Sequence, residues 1–306
     1  MPKHFLHLAD YNSEDLWEIL HLAKEIKTKF YNKENYKPFE GRSLAMIFAK
    51  PSARTRVSFE TGFEWMGGHA LFLGPNDIGI GKREAIKDIS RVFSRYNDMI
   101  MARLFDHEHI IELAEHSEIP VINGLTDYNH PCQILADILT IWEHRGNLEG
   151  LKVTYLGDGN NIVNSWLQLG IRLPLHFVCC SPEGYEPDAK TIKRLEDSGV
   201  SSFELSQEPY SAVKNSDVIY TDVWASMGQK EEAEEREKVF ANYQVNQKLV
   251  KQTGKETLFM HCLPAERGRE VTDRVMEANY SIVFDQAENR MHAQNAIMVY
   301  LSNLTD

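Results

Sequence analysis

The sequence predicts an α/β protein of two lobes, each a parallel sheet flanked by helices, with the active site in the cleft between the lobes. Short apolar runs of strand length alternate with stretches of helix length, which is typical of parallel sheets. This alternation occurs in two series, separated by the helical segment Ile134 to Glu143 and the turn Gly146 to Gly150. We therefore expect one domain over residues 1–145 and a second over residues 146–289.

The first lobe opens with a helix. Apolar residues recur at helical spacing after Ser13, a residue type that caps helices, and they predict one amphipathic helix. Four apolar runs then predict strands, each separated from the next by enough residues for a helix. These runs are Leu44 to Ala49, Ala70 to Leu73, Met99 to Ala102 and Val121 to Ile122.

Five further apolar runs predict the sheet of the second lobe. The acidic run Glu231 to Glu237 is typical of a solvated helix or loop. The segment Asn295 to Leu304 predicts a closing helix, and we expect the C-terminal residues 290–306 to pack back on the first lobe. The five runs are Val153 to Leu156, His176 to Cys180, Val218 to Thr221, Leu258 to His261 and Ile282 to Phe284.

Composition limits the classes of function. The 306 residues are 42% hydrophobic and 25% charged, which suits a globular protein with two separate cores. A formal charge of -12 argues against nucleic acid and anionic membranes as partners, so an anionic ligand needs a local cationic cluster. The sequence has no long apolar span, and Met1 to Asp10 lacks the pattern of an export signal. Four irregularly spaced cysteines favour neither a disulfide scaffold nor a metal site, so we expect a cytoplasmic protein without metal.

Cationic and hydroxyl side chains follow the first predicted strand. The stretch Ser52 to Arg56 lies between this strand and a helix predicted over Val57 to Met66, so its amides should face an anion at the helix start. Helix capping with surface arginines would explain this stretch alone, but Arg103 adds a cation at the end of another strand. We expect Arg54 to bind a phosphate and Arg56 to form a structural pair, since residues two apart do not share a face of a helical turn.

His130 and Gln133 follow the fourth predicted strand. If a helix begins there, the two residues share one face and can bind one small polar group together, such as a carbonyl beside an amine. A histidine near a proline is also typical of a turn with a satisfied hydrogen bond, and this alternative stays open.

Three features of the second lobe have both a structural and a functional interpretation. The stretch Gly157 to Gly159 superficially resembles a dinucleotide-binding turn, but the third glycine is missing, so a plain tight turn is favoured. A cysteine such as Cys262, directly after a strand, is more often a small buried apolar residue than a nucleophile. Asp222 suits either a site or a helix cap, and Trp224 suits the core.

Together these motifs resemble the aspartate/ornithine carbamoyltransferase family, and within it the ornithine-specific members, over nearly the whole chain. The motifs occur in the order in which the family has them. They are Ser-x-Arg-Thr-Arg at residues 52–56 followed by Val-Ser-Phe-Glu, His-Pro-x-Gln at 130–133, Asp-Val-Trp-x-Ser-Met-Gly at 222–228, His-Cys-Leu-Pro at 261–264 and Glu-Asn-Arg at 288–290.

The resemblance implies transfer of the carbamoyl group of carbamoyl phosphate to the side-chain amine of L-ornithine, giving L-citrulline and phosphate, in arginine biosynthesis or, in reverse, arginine degradation. It makes 1–145 the carbamoyl-phosphate-binding domain and 146–289 the ornithine-binding domain. The residues implied for carbamoyl phosphate are Ser52, Ala53, Arg54, Thr55, Arg103, His130, Gln133, Cys262, Leu263 and Arg290. Those implied for ornithine are Asn161, Asp222, Ser226 and Met227.

The implied reaction needs no cofactor and no covalent intermediate. Negative charge grows first on the carbonyl oxygen and then on the departing phosphate, and preorganised cations and donors stabilise both. The catalytic residues are then Arg103 and His130 at the carbonyl, with Asp222 and Cys262 at the amine. The attacking amine resembles that of lysine, with a pKa of about 10.4, so it must lose a proton to Asp222, Cys262 or the phosphate.

Two positions depart from the family pattern. Ala53 stands where the family often has Thr, which removes a side-chain donor but leaves the backbone amide. Gly79 stands where many members have a Gln that reaches the carbamoyl phosphate of a neighbouring subunit, and Lys82 and Arg83 are candidate replacements. Family members are usually trimers or multiples of trimers with shared sites, and we expect a homotrimer here.

Other acceptors and other classes of protein are alternatives. An aspartate enzyme needs cations for a second carboxylate in the second lobe, whereas this chain has Ser-Met-Gly at 226–228 and His-Cys-Leu-Pro at 261–264. A putrescine enzyme has no amino-acid head group to bind, and the intact Asp-Val-Trp-x-Ser-Met-Gly loop disfavours it. An enzyme for an acylated ornithine stays open. A nicotinamide-dependent oxidoreductase would leave Arg54, Arg103 and His130 unexplained, and a catalytically silent homologue is disfavoured by the complete motifs.

Overall fold

The computed structural model describes residues 4–80, 83–225 and 233–303. The chain forms two compact units. Unit 1 contains the chain up to Leu139 and again from Asn289, and unit 2 runs from Thr140 to Glu288. Several predicted positions lie outside the described residues, namely Lys82, Ser226, Met227, Glu231 and Leu304.

Unit 1 contains a parallel sheet whose strands run in the order β2, β1, β3, β4 among the described residues. The helices α6 and α13 each contain one of the two points at which the chain passes between the units. In chain order the elements are α1 (Ser13–Tyr31), β1 (Ser43–Phe48), α2 (Ala53–Trp65), β2 (His69–Leu73), α3 (Pro75–Ile78), α4 (Ile86–Tyr96), β3 (Met99–Arg103), α5 (His107–Glu115), β4 (Val121–Leu125), α6 (Pro131–Arg145) and, after unit 2, α13 (Val283–Asn303).

Unit 2 contains a second parallel sheet, with the strand order β7, β6, β5, β8, β9 in the described part of the chain. Helices connect successive strands, as crossovers between parallel strands require. The elements are β5 (Lys152–Leu156), α7 (Asn161–Gly170), β6 (His176–Cys180), α8 (Ala189–Ser198), β7 (Ser202–Ser206), α9 (Pro209–Ala212), β8 (Val218–Thr221), α10 (Ala233–Phe240), α11 (Gln247–Val250), β9 (Leu258–His261) and α12 (Asp273–Met276).

The predicted class, two parallel sheets flanked by helices, is confirmed. In each sheet the strand order reverses once, between β1 and β3 in unit 1 and between β5 and β8 in unit 2. The loops diverge at such a reversal and leave a crevice at the carboxyl ends of the strands. The register places Phe48 beside Arg103 at one reversal and Leu156 beside Thr221 at the other.

Each unit has its own buried core. In unit 1, the apolar faces of β1 and β3 pack with residues of α4 and α5, including Ile89 and Ile110. In unit 2, β8 and β9 pack against a group that contains Trp224 and Phe240, which confirms Trp224 as a core residue. None of the described helices has an apolar stretch of the length needed to cross a bilayer.

Two helix starts differ from the prediction. Asn12, not Ser13, caps α1: its side chain accepts a hydrogen bond from the Asp15 amide, while the Asp15 carboxylate accepts one from the Asn12 amide. The helix α2 begins at Ala53 rather than at Val57, so the whole stretch from Arg54 belongs to its first turns. The start of α2 therefore lies directly beyond the end of β1.

The predicted strand Ile282 to Phe284 is wrong. The amide of Phe259 donates to the carbonyl of Tyr280, and the amide of Ile282 donates to the carbonyl of Phe259, so this segment pairs with β9 over one bridge only. The helix α13 then begins at Val283, and Phe284 is 62% exposed. The sequence prediction also missed β7, an edge strand with a mostly exposed face.

Candidate active site

The start of α2 presents backbone donors at the reversal point of the first sheet. Ser52 is the N-cap of this helix, and its hydroxyl accepts a hydrogen bond from the Thr55 amide at 3.3 Å. Unpaired amides and the helix dipole favour an anion at such a position. The capping interpretation of Ser52 is correct, and it leaves the other first-turn amides available to a ligand.

Arg290, in α13, reaches this helix start from the other end of the chain. Its Nη2 donates to the Thr55 hydroxyl at 2.8 Å, and both side chains are buried. The contact joins two residues that are 235 positions apart in the sequence. The structure thus brings Arg290 to the predicted phosphate-binding turn.

The two arginines of this turn have different environments. Arg56 donates to Glu60 at 3.0 Å and lies over the ring of Phe72 at 4.0 Å, which confirms the predicted structural pair. Arg54 is exposed, and its side chain makes no hydrogen bond or ion pair with any described residue. Its guanidinium is therefore the one of the two that remains available for a ligand, while the neighbouring Ala53 contributes only backbone.

His130 lies at the start of α6 among cations. The imidazole is 4% exposed, and burial lowers its pKa well below the usual 6.5. The charges of Arg290, Arg103 and Lys50 lower that pKa further. His130 is therefore a neutral imidazole, which can donate one hydrogen bond without adding a charge.

Gln133 shares this helix with His130, as predicted, but its amide is engaged within the helix. Its Nε2 donates to Asp137 at 2.8 Å, and the side chain is 1% exposed. The His130 carbonyl accepts a hydrogen bond from the Gln133 backbone amide at 3.1 Å, so His130 caps α6 as well as facing the cations.

We call the group formed by Lys50, Ser52, Arg54, Thr55, Arg103, His130 and Arg290 the first cluster.

The carboxyl ends of β5, β8 and β9 carry a second group of polar side chains. The register pairs Thr221 with His261, so Asp222 and Cys262 follow neighbouring strands at the same level. The Cys262 thiol donates to Asp222 Oδ1 at 3.0 Å, and Asn160 Nδ2 donates to Asp222 Oδ2 at 3.1 Å. Asp222 is 7% exposed, and it caps none of the helices in the part of the chain that the structure describes.

The conformation of the residues around Cys262 depends on His261. The Leu263 amide donates to His261 Nδ1 at 2.9 Å, and His261 Nε2 donates to the buried Glu270 carboxylate at 3.1 Å. These bonds hold Leu263 in a left-handed backbone conformation, with φ of 58°, which L residues other than Asn and Asp seldom adopt. We call Asn160, Asp222, His261 and Cys262 the second cluster.

Three residues of the second cluster have the side-chain types of a metal site. Ligand atoms of Asp222, His261 and Cys262 lie within 4.8 Å of one another. Both ring nitrogens of His261 already have partners, one at Glu270 and one at the Leu263 amide. An imidazole cannot bind a metal through an engaged nitrogen, so we assign no metal to this group.

The remaining predicted positions of unit 2 divide into two sets. Asn161 is the first residue of α7, directly after the cap Asn160. Ser226 and Met227 lie outside the described residues. The Gly157 to Gly159 stretch forms a tight turn, as predicted, in which the Gly159 amide donates to the Tyr185 carbonyl at 2.8 Å. A side chain at residue 159 would lie 2.4 Å from the Pro187 nitrogen, so the close approach of residues 185–187 requires a glycine at this position.

Two protein-family models match the chain. The carbamoyl-P binding domain of aspartate/ornithine carbamoyltransferase matches residues 3–143, and the Asp/Orn binding domain of the same family matches residues 149–301. The chain belongs to the aspartate/ornithine carbamoyltransferase family. This finding confirms the resemblance that the motifs indicate, and it makes the protein a carbamoyltransferase.

Relatives and solved structures of this family resemble the chain over nearly its whole length. The chloroplastic ornithine carbamoyltransferase of Pisum sativum is 59% identical over 98% of this chain and 80% of its own length. The ornithine carbamoyltransferase structure from Pyrococcus furiosus has a TM-score of 0.92 and 51% identity, covering 97% of this chain and 96% of that one. The anabolic enzyme of Campylobacter jejuni has a TM-score of 0.93 and 35% identity, covering 99% of both chains.

Some residues around the carbamoyltransferase site were not found in the sequence. Lys50 stands two residues beyond the end of β1, in the polar stretch that follows the first predicted strand, but the sequence alone assigns it no role. Glu270 lies nine residues beyond His261, and Arg236 lies 78 residues beyond its partner Asp158. No local pattern marks these two, because their partners are set by the tertiary fold.

Proposed function

We propose that this protein transfers the carbamoyl group of carbamoyl phosphate to the side-chain amine of L-ornithine, giving L-citrulline and phosphate. Unit 1 binds carbamoyl phosphate and unit 2 binds ornithine. The observation that carries the proposal is a difference in charge: the first cluster gathers cations around a helix start, and the second places a buried carboxylate beside a thiol. The first suits a dianion, and the second suits a cationic amine.

The phosphate of the substrate binds at the start of α2. The first-turn amides, the hydroxyls of Ser52 and Thr55, and the free Arg54 guanidinium are its donors, supported by Arg103. The amide of Ala53 serves in place of a threonine side chain. Arg290 approaches the same group through its contact with Thr55.

The carbamoyl group lies beside His130 and Arg103. The neutral imidazole of His130 donates to the carbonyl oxygen, while Arg103 stabilises the negative charge that develops there. Gln133 and the backbone at Cys262 and Leu263 complete the contacts of the carbamoyl group. Because these donors are fixed before the substrate arrives, little reorganisation is needed as charge develops.

The amine attacks the carbamoyl carbon directly. A nitrogen–carbon bond forms, the carbon–oxygen bond to phosphate breaks, and the oxygen keeps the bonding electrons. The ornithine ammonium first binds at Asp222 and must lose one proton before it attacks. Asp222, Cys262 and the departing phosphate are the three acceptors for that proton, and Asn161, Ser226 and Met227 bind the rest of ornithine.

The acceptor preference follows from the charges at the second cluster. The segments 157–161, 222–228 and 261–264 contain neither Lys nor Arg, and Arg236 is paired with Asp158. An aspartate acceptor would bring a second carboxylate to three segments that carry no cation of their own. Relatives of the family that are 52% to 59% identical carry the name ornithine carbamoyltransferase, which supports the same acceptor.

The test is an assay of carbamoyl transfer with four acceptors. Carbamoyl phosphate is incubated with L-ornithine, L-aspartate, putrescine or N-acetyl-L-ornithine, and the carbamoylated product and phosphate are quantified. We expect citrulline and phosphate in equal amounts with ornithine, and little transfer to the others. A higher kcat/KM for acetylornithine or putrescine would overturn the proposed acceptor while leaving the carbamoyl-phosphate site intact.

We further propose a homotrimer, a cytoplasmic location and a role in arginine biosynthesis. The edge strand β2, where Leu71 is 43% exposed, offers a face that another copy can bury, and the family resemblance implies that the copies number three. Gly79 has a left-handed φ of 53°, so a glutamine side chain would be strained there, and Arg83 remains as a donor to a neighbouring subunit. Light scattering tests the trimer.

Four free thiols suit a reducing compartment, and the anabolic relative from Pyrococcus furiosus supports the synthetic direction.

A further inference from the structure

Arg236 of α10 is a buried arginine in unit 2. Its side chain is 8% exposed, and Nη1 donates to Asp158 Oδ2 and to the Trp224 carbonyl, both at 2.8 Å. The guanidinium carbon also lies 5.0 Å from the centre of the Tyr185 ring. A buried guanidinium is costly unless charge and hydrogen bonds compensate it, and these contacts fix its position.

The two partners of Arg236 belong to the two chain segments that hold Asp222. Trp224 follows Asp222 by two residues, at the end of β8. Asp158 belongs to the turn after β5, where its carbonyl accepts from the Asn160 amide at 2.7 Å. The Asn160 side chain then donates to Asp222 Oδ2 at 3.1 Å. Arg236, Asp158, Asn160, Asp222 and Trp224 thus form a closed circuit, which we call the Arg236 network.

We infer that Arg236 is a positioning residue for the Asp222 carboxylate, because it joins the turn after β5 to the end of β8 on either side of that carboxylate. This inference rests on the proposed function, in which Asp222 binds the ornithine amine. Without Arg236, β5 and β8 keep their pairing as far as Leu156 and Thr221, but the turn after β5 and the end of β8 lose the guanidinium that bridges Asp158 and Trp224. An ammonium group should then bind a less well oriented carboxylate.

A purely structural role for Arg236 makes a different prediction. A buried ion pair can hold α10 against the sheet and affect only the stability of unit 2. In that case its removal lowers the melting temperature, while the folded fraction binds both substrates as before. A positioning role predicts instead that loss of Arg236 raises the KM for ornithine and leaves the KM for carbamoyl phosphate unchanged.

The experiment compares Arg236→Met, Arg236→Lys and Asp158→Asn with the wild type in steady-state citrulline assays and thermal unfolding. Arg269→Met is the matched control, because Arg269 pairs with Glu237 of the same helix but is 46% exposed. We expect Arg236→Met to raise the KM for ornithine by about tenfold to a hundredfold, with the KM for carbamoyl phosphate within about twofold. Arg236→Lys should lie between the wild type and Arg236→Met, and Arg269→Met should match the wild type.

An unchanged KM for ornithine in a folded Arg236→Met protein, or an equal rise of both KM values, overturns the inference. If Arg236→Met does not fold, Asp158→Asn decides instead: it removes the ion pair with an isosteric side chain, and a normal KM for ornithine in this variant also overturns the inference. Wild-type protein that makes no citrulline refutes the proposed function itself, whereas active wild type with unaffected variants refutes only the role of Arg236.

Discussion

The first and second clusters occupy equivalent places in two similar sheets, yet their chemistry is opposite. Both lie where the strand order reverses, beyond the carboxyl ends of parallel strands. The first collects guanidiniums, an ammonium and helix amides around a neutral imidazole. The second places a carboxylate between a thiol and an amide side chain.

The difference shows which properties the fold supplies and which the side chains supply. Parallel strands provide a crevice of fixed geometry at each reversal of the strand order. This geometry does not depend on whether the ligand is an anion or a cation. The residues after each strand then set the charge. A transfer between an anionic donor and a cationic acceptor needs both signs, and this chain provides them on separate sheets.

The strongest test of the first cluster is Arg54→Gly. The guanidinium is exposed and has no partner among the described residues, so its loss should leave folding intact and remove a contact to phosphate. We expect citrulline formation to fall by about a thousandfold, as for other lost oxyanion donors. Arg56→Gly is the matched control, since Arg56 is engaged by Glu60, and it should retain most activity. Equal losses in both variants would contradict the assignment.

Asp222→Asn tests the second cluster with a somewhat smaller expected effect. The change removes the charge that attracts the ornithine ammonium but keeps the shape of the side chain. The KM for ornithine should rise by about a hundredfold, the usual cost of a lost charged hydrogen bond, and the KM for carbamoyl phosphate should stay constant. Asp197→Asn, at an exposed ion pair of the same unit, controls for a general charge effect. A rise in the KM for carbamoyl phosphate alone would reverse the roles of the clusters.

A pair of substitutions at Cys262 refines the comparison further. Cys262→Ser keeps a donor to Asp222, whereas Cys262→Ala removes it. The alanine variant should lose about tenfold in kcat/KM for ornithine, and the serine variant should lose less. An equal loss of kcat/KM in the serine and alanine variants would show that the thiol contributes through its acidity rather than through this hydrogen bond.

The smallest effect concerns acid stability at His130. Burial, and then the nearby cations, keep its pKa well below 6.5, so the unfolded chain binds a proton that the folded protein excludes. Stability from this residue is therefore complete above pH 6.5 and declines as the pH falls below that value. The melting temperature of the wild type should fall between about pH 7.5 and about pH 5, and in His130→Gln this fall should be smaller by a few degrees. An identical drop in both proteins would show that the imidazole is protonated in the fold.

Sequence patterns predict most of this fold because its central strands are buried on both faces. Strands such as β1 and β8 form continuous apolar runs, and their bounds agree with the prediction within about one residue. The edge strand β7 has no such run, since only Phe203 and Ser206 of its five residues are partly covered. The apolar residues from Ile282 suggested a strand, but their burial comes from one bridge to β9 and from the start of a helix.

The site could be predicted wherever its residues directly follow strands. Asp222 and Cys262 are of this kind, because parallel strands end at one edge. The pairing of Arg290 with Thr55 and of Arg236 with Asp158 could not be predicted from local patterns. Each pair joins distant segments, and spacing along the chain carries no information about which charges meet.

The carboxyl-terminal part of α13, from Asn289 onward, belongs to unit 1, and this has a consequence for how the protein is made. The Thr55 hydroxyl leaves the ribosome long before Arg290, its hydrogen-bond donor 235 residues later. Synthesis proceeds from the amino terminus, so unit 2 can be translated in full while unit 1 still lacks its last helix. A nascent chain truncated before residue 289 should therefore be unable to bind carbamoyl phosphate, and this affinity should appear only after Arg290 has been synthesised and α13 has formed.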